Sequence, residues 1–250
     1  MKNALLNIIK NAGYIVTKNL PNEKQYPDIE KDFWKYYNTC KPYTGSSVER
    51  LYSLYKSIEY IIQNNIPGDF VECGVWKGGV PMFIANVLLK NGINNRKIYL
   101  YDTFEGMSEP AAQDVDFRGN DAKQLMADSK KTAGDSVWCY SSFDEVSRTM
   151  KKTGYPIENI ILVKGKVEET IPENSPATIC LLRLDTDWYD STYHELKHLF
   201  PLLATKGILI IDDYGHWEGA RKAVDTYFKE QNQKLLLNRI DYTGRIAIKS

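Results

Sequence analysis

The chain has 250 residues, and its 32 lysine and arginine residues are matched by 32 aspartates and glutamates. This length suits one large domain, or one domain with an appendage, and the composition is that of an ordinary globular protein. A balanced charge provides no net field that would attract nucleic acid or an anionic membrane surface. Function is therefore expected to depend on a local site.

The four cysteines are far apart and form no C-x-x-C pair. This pattern favours buried thiols in a reducing compartment and predicts a cytoplasmic protein. No run reaches the roughly 18 to 20 apolar residues of a membrane span. The apolar stretch near the N-terminus is interrupted by Asn7, Lys10 and Asn11, so no signal peptide is expected.

Residues 1 to about 66 are predicted to form a helical extension that contacts substrate or a second subunit, which would give a homo-oligomer. Its first helix would place four apolar side chains on one face. These are Leu5, Leu6, Ile9 and Ala12. The segment "PNEKQYPD" has the composition of a turn-rich linker. Apolar residues at helical spacing predict a second helix over residues 48–62, which either Ser46 or Ser47 could cap.

From about residue 67 to residue 250, short apolar strands alternate with amphipathic helices. The predicted strands are residues 69–75, 96–103, 159–165, 177–185 and 206–214. The predicted helices are residues 78–92, 142–154, 190–204 and 218–231. This alternation predicts an α/β fold with a mostly parallel twisted sheet and helices on both faces. Residues 234–240 and 244–250 could close the sheet as an antiparallel edge.

The segment from about residue 108 to residue 140 interrupts this alternation. It is polar and long for a loop, and it contains Asp114, Asp116, Arg118 and Asp121. Long irregular loops in compact domains are often lids. We therefore interpret the segment as a lid-like insertion.

Glycine and acidic residues follow the first and second predicted strands. Gly74, Gly78 and Gly79 come after Glu72, and Asp102 ends the second strand. Ligands of doubly wound sheets bind beyond the carboxyl ends of the strands, so this pattern resembles a nucleotide-binding turn with Asp102 accepting hydrogen bonds from two ribose hydroxyls. A structural turn followed by a loop aspartate is the alternative.

Carboxylates also follow the fourth and fifth strands. The stretch "RLDTDWYDST" contains Asp185, Asp187 and Asp190, and "IDDY" contains Asp212 and Asp213. If Asp185, Asp212 and Asp213 converge, they form an all-oxygen site suited to Mg²⁺. A solvated turn with a helix cap is the alternative for the first stretch.

Two histidine patterns suggest other chemistry. "HELKH", from His194 to His198, matches the H-E-x-x-H pattern of zinc peptidases, with Glu218 available as a third ligand. Because that helix also carries apolar residues that would cover the sheet, both histidines are interpreted as surface or packing residues. His216 follows "DDY" at the functional edge, although it could simply open the last helix.

Four segments in this order resemble the macrocin O-methyltransferase family, the TylF/MycF/NovP-type enzymes that methylate sugar hydroxyls of natural products. They are "GDFVECGVWKGG", "YDTFEGMSEP", "LLRLDTDWYDST" and "GILIIDDYGHWEGARKAVDTYF". The resemblance implies a Rossmann-like class I methyltransferase fold that binds S-adenosylmethionine and Mg²⁺.

The resemblance also implies roles for individual residues. Asp185, Asp212 and Asp213 match metal ligands, and Asp187 matches a general base; His216 is the second candidate for that base. The residues that would bind S-adenosylmethionine are Thr44, Gly45, Glu72, Cys73, Gly74, Val75, Trp76, Asp102, Thr103, Phe104, Glu105, Gly106 and Ser142.

The resulting hypothesis is Mg²⁺-dependent O-methylation of a sugar or glycoside. The acceptor stays open, and a surface polysaccharide or a glycolipid sugar is as compatible with the sequence as a glycosylated natural product. The alternatives are a catalytically silent S-adenosylmethionine-binding module and a zinc hydrolase that uses "HELKH".

Overall fold

A computed structural model describes residues 22–131 and 136–250 of the chain. The chain divides into two compact units between Lys35 and Tyr36. Helix α1 (Asn22–Gln25) lies in the first unit, so the predicted linker contains a helical turn, and helix α2 (Lys31–Cys40) crosses the division. The helix expected near the N-terminus lies outside the described residues.

The second unit is built on a seven-stranded sheet. Its strands are β1 (Asp69–Cys73), β2 (Ile98–Asp102), β3 (Ile160–Lys164), β4 (Ile179–Leu184), β5 (Leu203–Ile211), β6 (Asn238–Arg239) and β7 (Arg245–Ile248). Their order is β3-β2-β1-β4-β5-β7-β6. The first five strands pair in parallel, and β7 is antiparallel to both β5 and β6. The predicted parallel sheet with an antiparallel edge is confirmed.

The described helices of the second unit connect and cover these strands. They are α3 (Val48–Gln63), α4 (Gly79–Lys90), α5 (Ala122–Asp128), α6 (Phe143–Lys151), α7 (Val167–Thr170), α8 (Tyr189–Leu199) and α9 (Glu218–Glu230). Every residue of β4 is buried, which explains why its sequence is apolar at every position except Arg183 rather than alternating. The predicted helix over residues 190–204 ends earlier, because a 3₁₀ turn containing Pro201 leads directly into β5.

Ser47, rather than Ser46, caps α3. The backbone N–H of Arg50 donates to the Ser47 hydroxyl at 3.1 Å. Helix α3 belongs to the same compact unit as the sheet. A separate role for residues 1–66 in substrate or subunit contacts stays a prediction.

The segment 108–140 is attached to the core rather than extended into solvent. It contains α5, and Asp114, Ala122 and Met126 are almost fully buried. Ala122 and Met126 pack in a cluster with the indoles of Trp188 and Trp217. The described part of the segment is therefore a docked subdomain, and its movement as a lid stays a prediction.

None of the helices within residues 22–131 and 136–250 has the length and apolar character needed to cross a bilayer.

Candidate active site

The connectivity of the sheet creates a crevice between β1 and β4. From β1 the chain continues to β2 and β3 on one side, and then returns to place β4 and β5 on the other side. Ligands of open α/β sheets bind at such a switch point, beyond the carboxyl ends of the strands. Strand pairing continues into this crevice, because the N–H of Asp185 donates to the carbonyl of Cys73 at 2.9 Å.

Gly74 allows the turns after β1 and β4 to meet. Its φ is +82°, and a Cβ atom on it would lie 1.9 Å from the carbonyl oxygen of Asp185. Gly79 has a similar role at the start of α4, where an added Cβ would lie 2.6 Å from the Tyr43 carbonyl oxygen. Close backbone approach at these two glycines brings the segment around Thr44 and the Asp185 turn to one place.

A pocket of about 330 Å³ lies in this crevice. Most of the sequence-predicted site residues line it. They are Thr44, Gly45, Glu72, Gly74, Val75, Trp76, Asp102, Thr103, Gly106, Asp185, Asp187, Asp212 and Asp213. Residues from the ends of strands far apart in the chain therefore form one cavity of the size that small ligands occupy.

Five predicted residues are not part of the pocket lining. Cys73 and Phe104 are buried, 0% and 3% exposed, and Glu105 forms an ion pair with a lysine. Ser142 caps α6 in a capping box, and His216 is hydrogen-bonded to a tyrosine hydroxyl. These residues can support the pocket, but their side chains do not form its wall.

The end of β3 also contributes to the pocket, although no sequence motif predicted it. Gly165, Lys166, Val167 and Glu168 line the pocket, although only the ends of the first, second, fourth and fifth strands were singled out. A parallel strand must end at the same edge of the sheet as its neighbours, so the order of the elements could have predicted that residues after β3 line the pocket. Arg50 and Arg183 also line the pocket and had no local motif to reveal them.

Asp102 has a structural function in the pocket wall. One of its carboxylate oxygens accepts the backbone N–H groups of Val75 at 2.7 Å and Trp76 at 3.1 Å, and the other accepts that of Phe104 at 2.7 Å. A carboxylate has about four acceptor positions, so roughly one remains for a ligand hydroxyl. Asp102 can therefore be both a structural residue and a ligand-binding one. Its carboxylate is hydrogen-bonded to the turns after β1 and β2, and it also lines the cavity.

Glu72 offers an unpaired acceptor to a ligand. Its Oε1 accepts from Arg183, whereas its Oε2 is buried without a partner. Burial raises the pKa of Glu72 to about 8, against the opposing effect of the Arg183 guanidinium. A buried polar atom without a partner is costly. A cofactor that presents a hydrogen-bond donor here, such as the ammonium or ribose hydroxyl groups of S-adenosylmethionine, would pair this oxygen and favour the ionised form of Glu72.

Three aspartates form a cluster beside this acceptor. Carboxylate oxygens of Asp185, Asp187 and Asp213 all lie within 4.8 Å of one another. Burial and the neighbouring carboxylates raise the pKa values of Asp185 and Asp213 well above the ordinary range. Burial, together with the charge of Asp185, raises the pKa of Asp187 to about 7. A hard divalent cation would offset this repulsion, and an all-oxygen donor set suits Mg²⁺.

Asp212 differs from its neighbours because it faces two arginines. Its Oδ1 accepts from Arg183 at 2.6 Å, and its Oδ2 accepts from Arg50. Burial alone would raise its pKa, but the two guanidinium groups outweigh burial and hold the pKa below the ordinary value. The clustered carboxylates are therefore those of Asp185, Asp187 and Asp213, whereas the sequence predicted Asp212 in the position of Asp187. The predicted ligand set of Asp185, Asp212 and Asp213 stays a prediction.

Backbone strain is concentrated in the turns of this site. Trp76, Phe104 and Asp187 have φ values of 46°, 53° and 67°, in the region that favours glycine. Each lies in a turn directly after a strand, namely β1, β2 or β4. Such conformations cost free energy and are found preferentially at functional sites.

The "HELKH" residues do not assemble a zinc site. Glu195 is fully buried and accepts the Thr186 hydroxyl at 3.0 Å. Nε2 of His194 instead lies 3.0 Å from the carbonyl oxygen of Ile171. Within the described residues, the group of carboxylates suited to a metal is that of Asp185, Asp187 and Asp213. The helix covers the sheet, as its apolar residues indicate.

Comparison with known proteins agrees with this geometry. The family model described as Macrocin-O-methyltransferase (TylF) matches residues 3–248. The demethyldecarbamoylnovobiocin O-methyltransferase of Streptomyces niveus is 30% identical over 185 residues, which cover 74% of this chain and 67% of that protein. The 8-demethyl-8-(2,3-dimethoxy-alpha-L-rhamnosyl)-tetracenomycin-C 4'-O-methyltransferase of Streptomyces olivaceus is 28% identical over 248 residues, 98% of this chain and 88% of that protein. The solved structure of the O-methyltransferase NovP has a TM-score of 0.72 and 27% identity, with 83% of this chain and 82% of NovP covered. The predicted Rossmann-like fold is shared with this enzyme.

Proposed function

The chain belongs to the macrocin-O-methyltransferase (TylF) family and is an O-methyltransferase, and we propose that it uses S-adenosylmethionine and Mg²⁺ to methylate a sugar hydroxyl of a glycosylated small molecule. The observation that carries this proposal is that two features line the same pocket. These are the partnerless oxygen of Glu72 and the cluster of Asp185, Asp187 and Asp213.

When bound, S-adenosylmethionine supplies the methyl group and Mg²⁺ acts as a Lewis acid toward the sugar hydroxyl. The turns after β1 and β2 bind and orient the cofactor, with Asp102 holding them together and Glu72 accepting a hydrogen bond. Asp185 and Asp213 would hold the metal ion. Correct alignment of the reacting groups is the other main contribution of the chain.

Asp187 is the proposed general base. It lines the pocket, and its pKa of about 7 allows the carboxylate to accept the hydroxyl proton near neutral pH. The Trp217 side chain opposes the effect of burial, because its interaction with Asp187 lowers the pKa of this carboxyl group. His216 is the weaker candidate, because its ring is not part of the pocket lining.

A sugar-bearing acceptor is supported by the named relatives. One is a demethyldecarbamoylnovobiocin O-methyltransferase, and another is a Mycinamicin III 3''-O-methyltransferase from Micromonospora griseorubida. Transfer of this substrate class to the present chain is part of the proposal, and polysaccharide or glycolipid sugars belong to the same chemical class.

A catalytically silent module that only binds S-adenosylmethionine is the second candidate. It would need the pocket but not the three clustered carboxylates, whose mutual repulsion destabilises an apoprotein. Retention of that cluster favours the enzyme.

The substitution Asp213→Asn tests the proposal. We expect it to lower kcat by about 100-fold or more, because it removes a metal ligand, and to change the Kd of S-adenosylmethionine by less than about threefold. S-adenosylhomocysteine release from a panel of glycosides, with and without Mg²⁺, measures the first effect, and calorimetric titration measures the second.

Asp190→Asn is the matched control, because Asp190 belongs to the acidic stretch of Asp185 and Asp187 but is exposed and outside the pocket lining. It should behave as the wild type. Full activity of the wild type in EDTA would refute the metal role. Binding of S-adenosylmethionine without methyl transfer to any glycoside would favour the silent module.

A further inference from the structure

Two exposed aromatic rings and a half-buried one form a surface next to the pocket, here named the outer aromatic patch: Phe117, Tyr242 and, half-buried, His216. Tyr242 is 53% exposed and Phe117 is 46% exposed, more than any other large aromatic side chain among the described residues. The ring centroids of Phe117 and Tyr242 lie 5.4 and 6.0 Å from that of His216, and 5.9 Å from each other. Exposed aromatic rings that are in contact with one another, unlike a single exposed ring, are a feature of binding sites.

Hydrogen bonds to backbone carbonyls connect the three segments of the chain that carry the patch. The N–H of Phe117, in the 108–140 segment, donates to the carbonyl of His216 at 2.8 Å. The turn that carries Tyr242 is held by its next residue, because the Thr243 hydroxyl donates to the carbonyl of Asp212 at 2.7 Å. The rings are therefore presented by a fixed backbone frame rather than by free loops.

The patch is continuous with the proposed reaction site. The His216 ring lies 4.9 Å from the ring of Trp217, which in turn lies 4.9 Å from the ring of Trp188, the residue after Asp187. Two indoles thus connect the patch to the turn that carries the proposed base. The patch itself is not part of the pocket lining. A ligand that contacted both would extend beyond the sugar whose hydroxyl reacts.

The chemistry of the patch combines apolar ring surface with polar groups at its edges. The Tyr242 hydroxyl and Nδ1 of His216 are 3.1 Å apart, and the Arg118 guanidinium lies 5.0 Å from the centre of the Phe117 ring. A pyranose ring has an apolar C–H face that packs on an aromatic ring, and hydroxyls around its rim that pair with polar groups. A purely apolar aglycone would leave these polar groups without hydrogen-bond partners.

We propose that the outer aromatic patch binds a second sugar ring of the acceptor, adjacent to the sugar that is methylated. This inference rests on the proposed function for the identity of the reacting sugar. It makes the preferred acceptor at least a disaccharide, and it assigns Phe117 and Tyr242 as residues that determine acceptor specificity.

Binding rather than turnover provides the test. The probes are methyl glycosides of rhamnose, glucose and galactose, the corresponding disaccharides, and the phenyl glycosides of the same sugars. Their affinities are measured by saturation-transfer NMR titration on the full chain, in the presence of S-adenosylhomocysteine and Mg²⁺. The variants are Phe117→Ala, Tyr242→Ala and the double variant. Ile157→Ala is the control, because Ile157 is 49% exposed but lies before β3, at the opposite edge of the sheet.

We expect at least one disaccharide to bind the wild type about tenfold more tightly than its methyl glycoside, and the double variant to lose this advantage. The affinity for the methyl glycoside and for S-adenosylhomocysteine should change by less than about twofold. Ile157→Ala should leave all affinities unchanged.

Three results would overturn the inference: no probe binds the wild type, the disaccharide advantage survives in the double variant, or the advantage belongs to the phenyl glycosides. The proposed function can fail separately. If the disaccharide advantage depends on Phe117 and Tyr242 but no methyl is transferred, the sugar-binding patch stands and the enzymatic proposal falls.

Discussion

Gly74 shows how one residue without a side chain determines the geometry of the site. The chain must pass within van der Waals distance of the Asp185 carbonyl at this position, and it must do so with a φ of +82°. The close approach excludes a Cβ atom, and the positive φ disfavours one. The proposed cofactor turn and the aspartate cluster are neighbours because this residue is glycine.

The substitution Gly74→Ala should therefore lower the free energy of unfolding by more than an unfavourable φ alone would. Gly92→Ala is the matched control, because Gly92 has a similar φ of +70° but no atom within 4 Å of an added Cβ. We expect Gly92→Ala to lower the free energy of unfolding by about 1 kcal/mol, and Gly74→Ala to lower it by about 3 kcal/mol or more. Urea unfolding measures both values.

Gly74→Ala should also weaken binding of S-adenosylmethionine by about tenfold or more, whereas Gly92→Ala should not. Equal losses of stability in the two variants would contradict the idea that close contact with Asp185, rather than backbone conformation, requires glycine at position 74.

At the level of the elements, Asp114 attaches the 108–140 segment to the rest of the unit. Its carboxylate accepts the N–H of Ala111 at 2.7 Å and the N–H of Tyr189, at the start of α8, at 2.9 Å. Burial raises the pKa of Asp114. A polar stretch is therefore docked by a buried carboxylate, and this contact links the segment that carries Phe117 to the helix that follows the aspartate cluster.

The substitution Asp114→Asn should loosen this segment. An amide cannot accept both N–H groups without turning its own NH₂ group toward one of them, so we expect a loss of about 1 to 3 kcal/mol in the stability of the docked segment. Hydrogen exchange of the backbone amides in α5 should become faster. Asp128→Asn, in the same segment but exposed, is the control and should not change the exchange rates. Unchanged protection of α5 in Asp114→Asn would mean that other contacts hold the segment.

The molecule as a whole has a net charge of zero, but the pocket contains an excess of acidic side chains. Ten charged side chains line the pocket. The acidic ones are Glu72, Asp102, Glu168, Asp185, Asp187, Asp212 and Asp213, and the basic ones are Arg50, Lys166 and Arg183. Three cations do not offset seven carboxylates at neutral pH, so we expect the site to bind protons or a metal ion.

The stability of the protein should therefore depend on pH and Mg²⁺ together. The pKa of Asp187 is raised to about 7, so the folded state holds a proton that the unfolded state has released. The stability that this proton contributes is present at acidic pH and is lost as the pH rises through about 7. Because Mg²⁺ competes with protons for the carboxylates, the rise in Tm caused by saturating Mg²⁺ should be larger at about pH 8 than at about pH 6.

Thermal unfolding monitored by calorimetry at the two pH values checks this prediction. The variant Asp213→Asn should show a much smaller effect of Mg²⁺ at both, because it removes one of the clustered carboxylates. A Tm that rises equally with Mg²⁺ at both pH values, or does not rise at all, would contradict a metal site at the cluster.

The strands of the parallel sheet, the longer helices between them and the acidic and glycine-rich turns could be predicted directly from the sequence, whereas the short helices α1, α5 and α7 could not. Their signals are local: the apolar runs of β1, β4 and β5 reflect burial on both faces of a parallel sheet, and aspartates or glycines follow these strands because the turns need them. Since parallel strands end at a common edge, the location of the pocket also follows from the order of the elements.

The partners of each carboxylate depend on distances across the fold, and no local pattern encodes them. Arg50 reaches Asp212 from 162 positions away, and this contact separates Asp212 from the cluster that Asp187 joins. The burial of Glu195, within a pattern that resembles a zinc motif, depends on which face of α8 meets the sheet. Charge, pKa and access to a ligand are properties of an environment, and the environment exists only after distant segments have packed together.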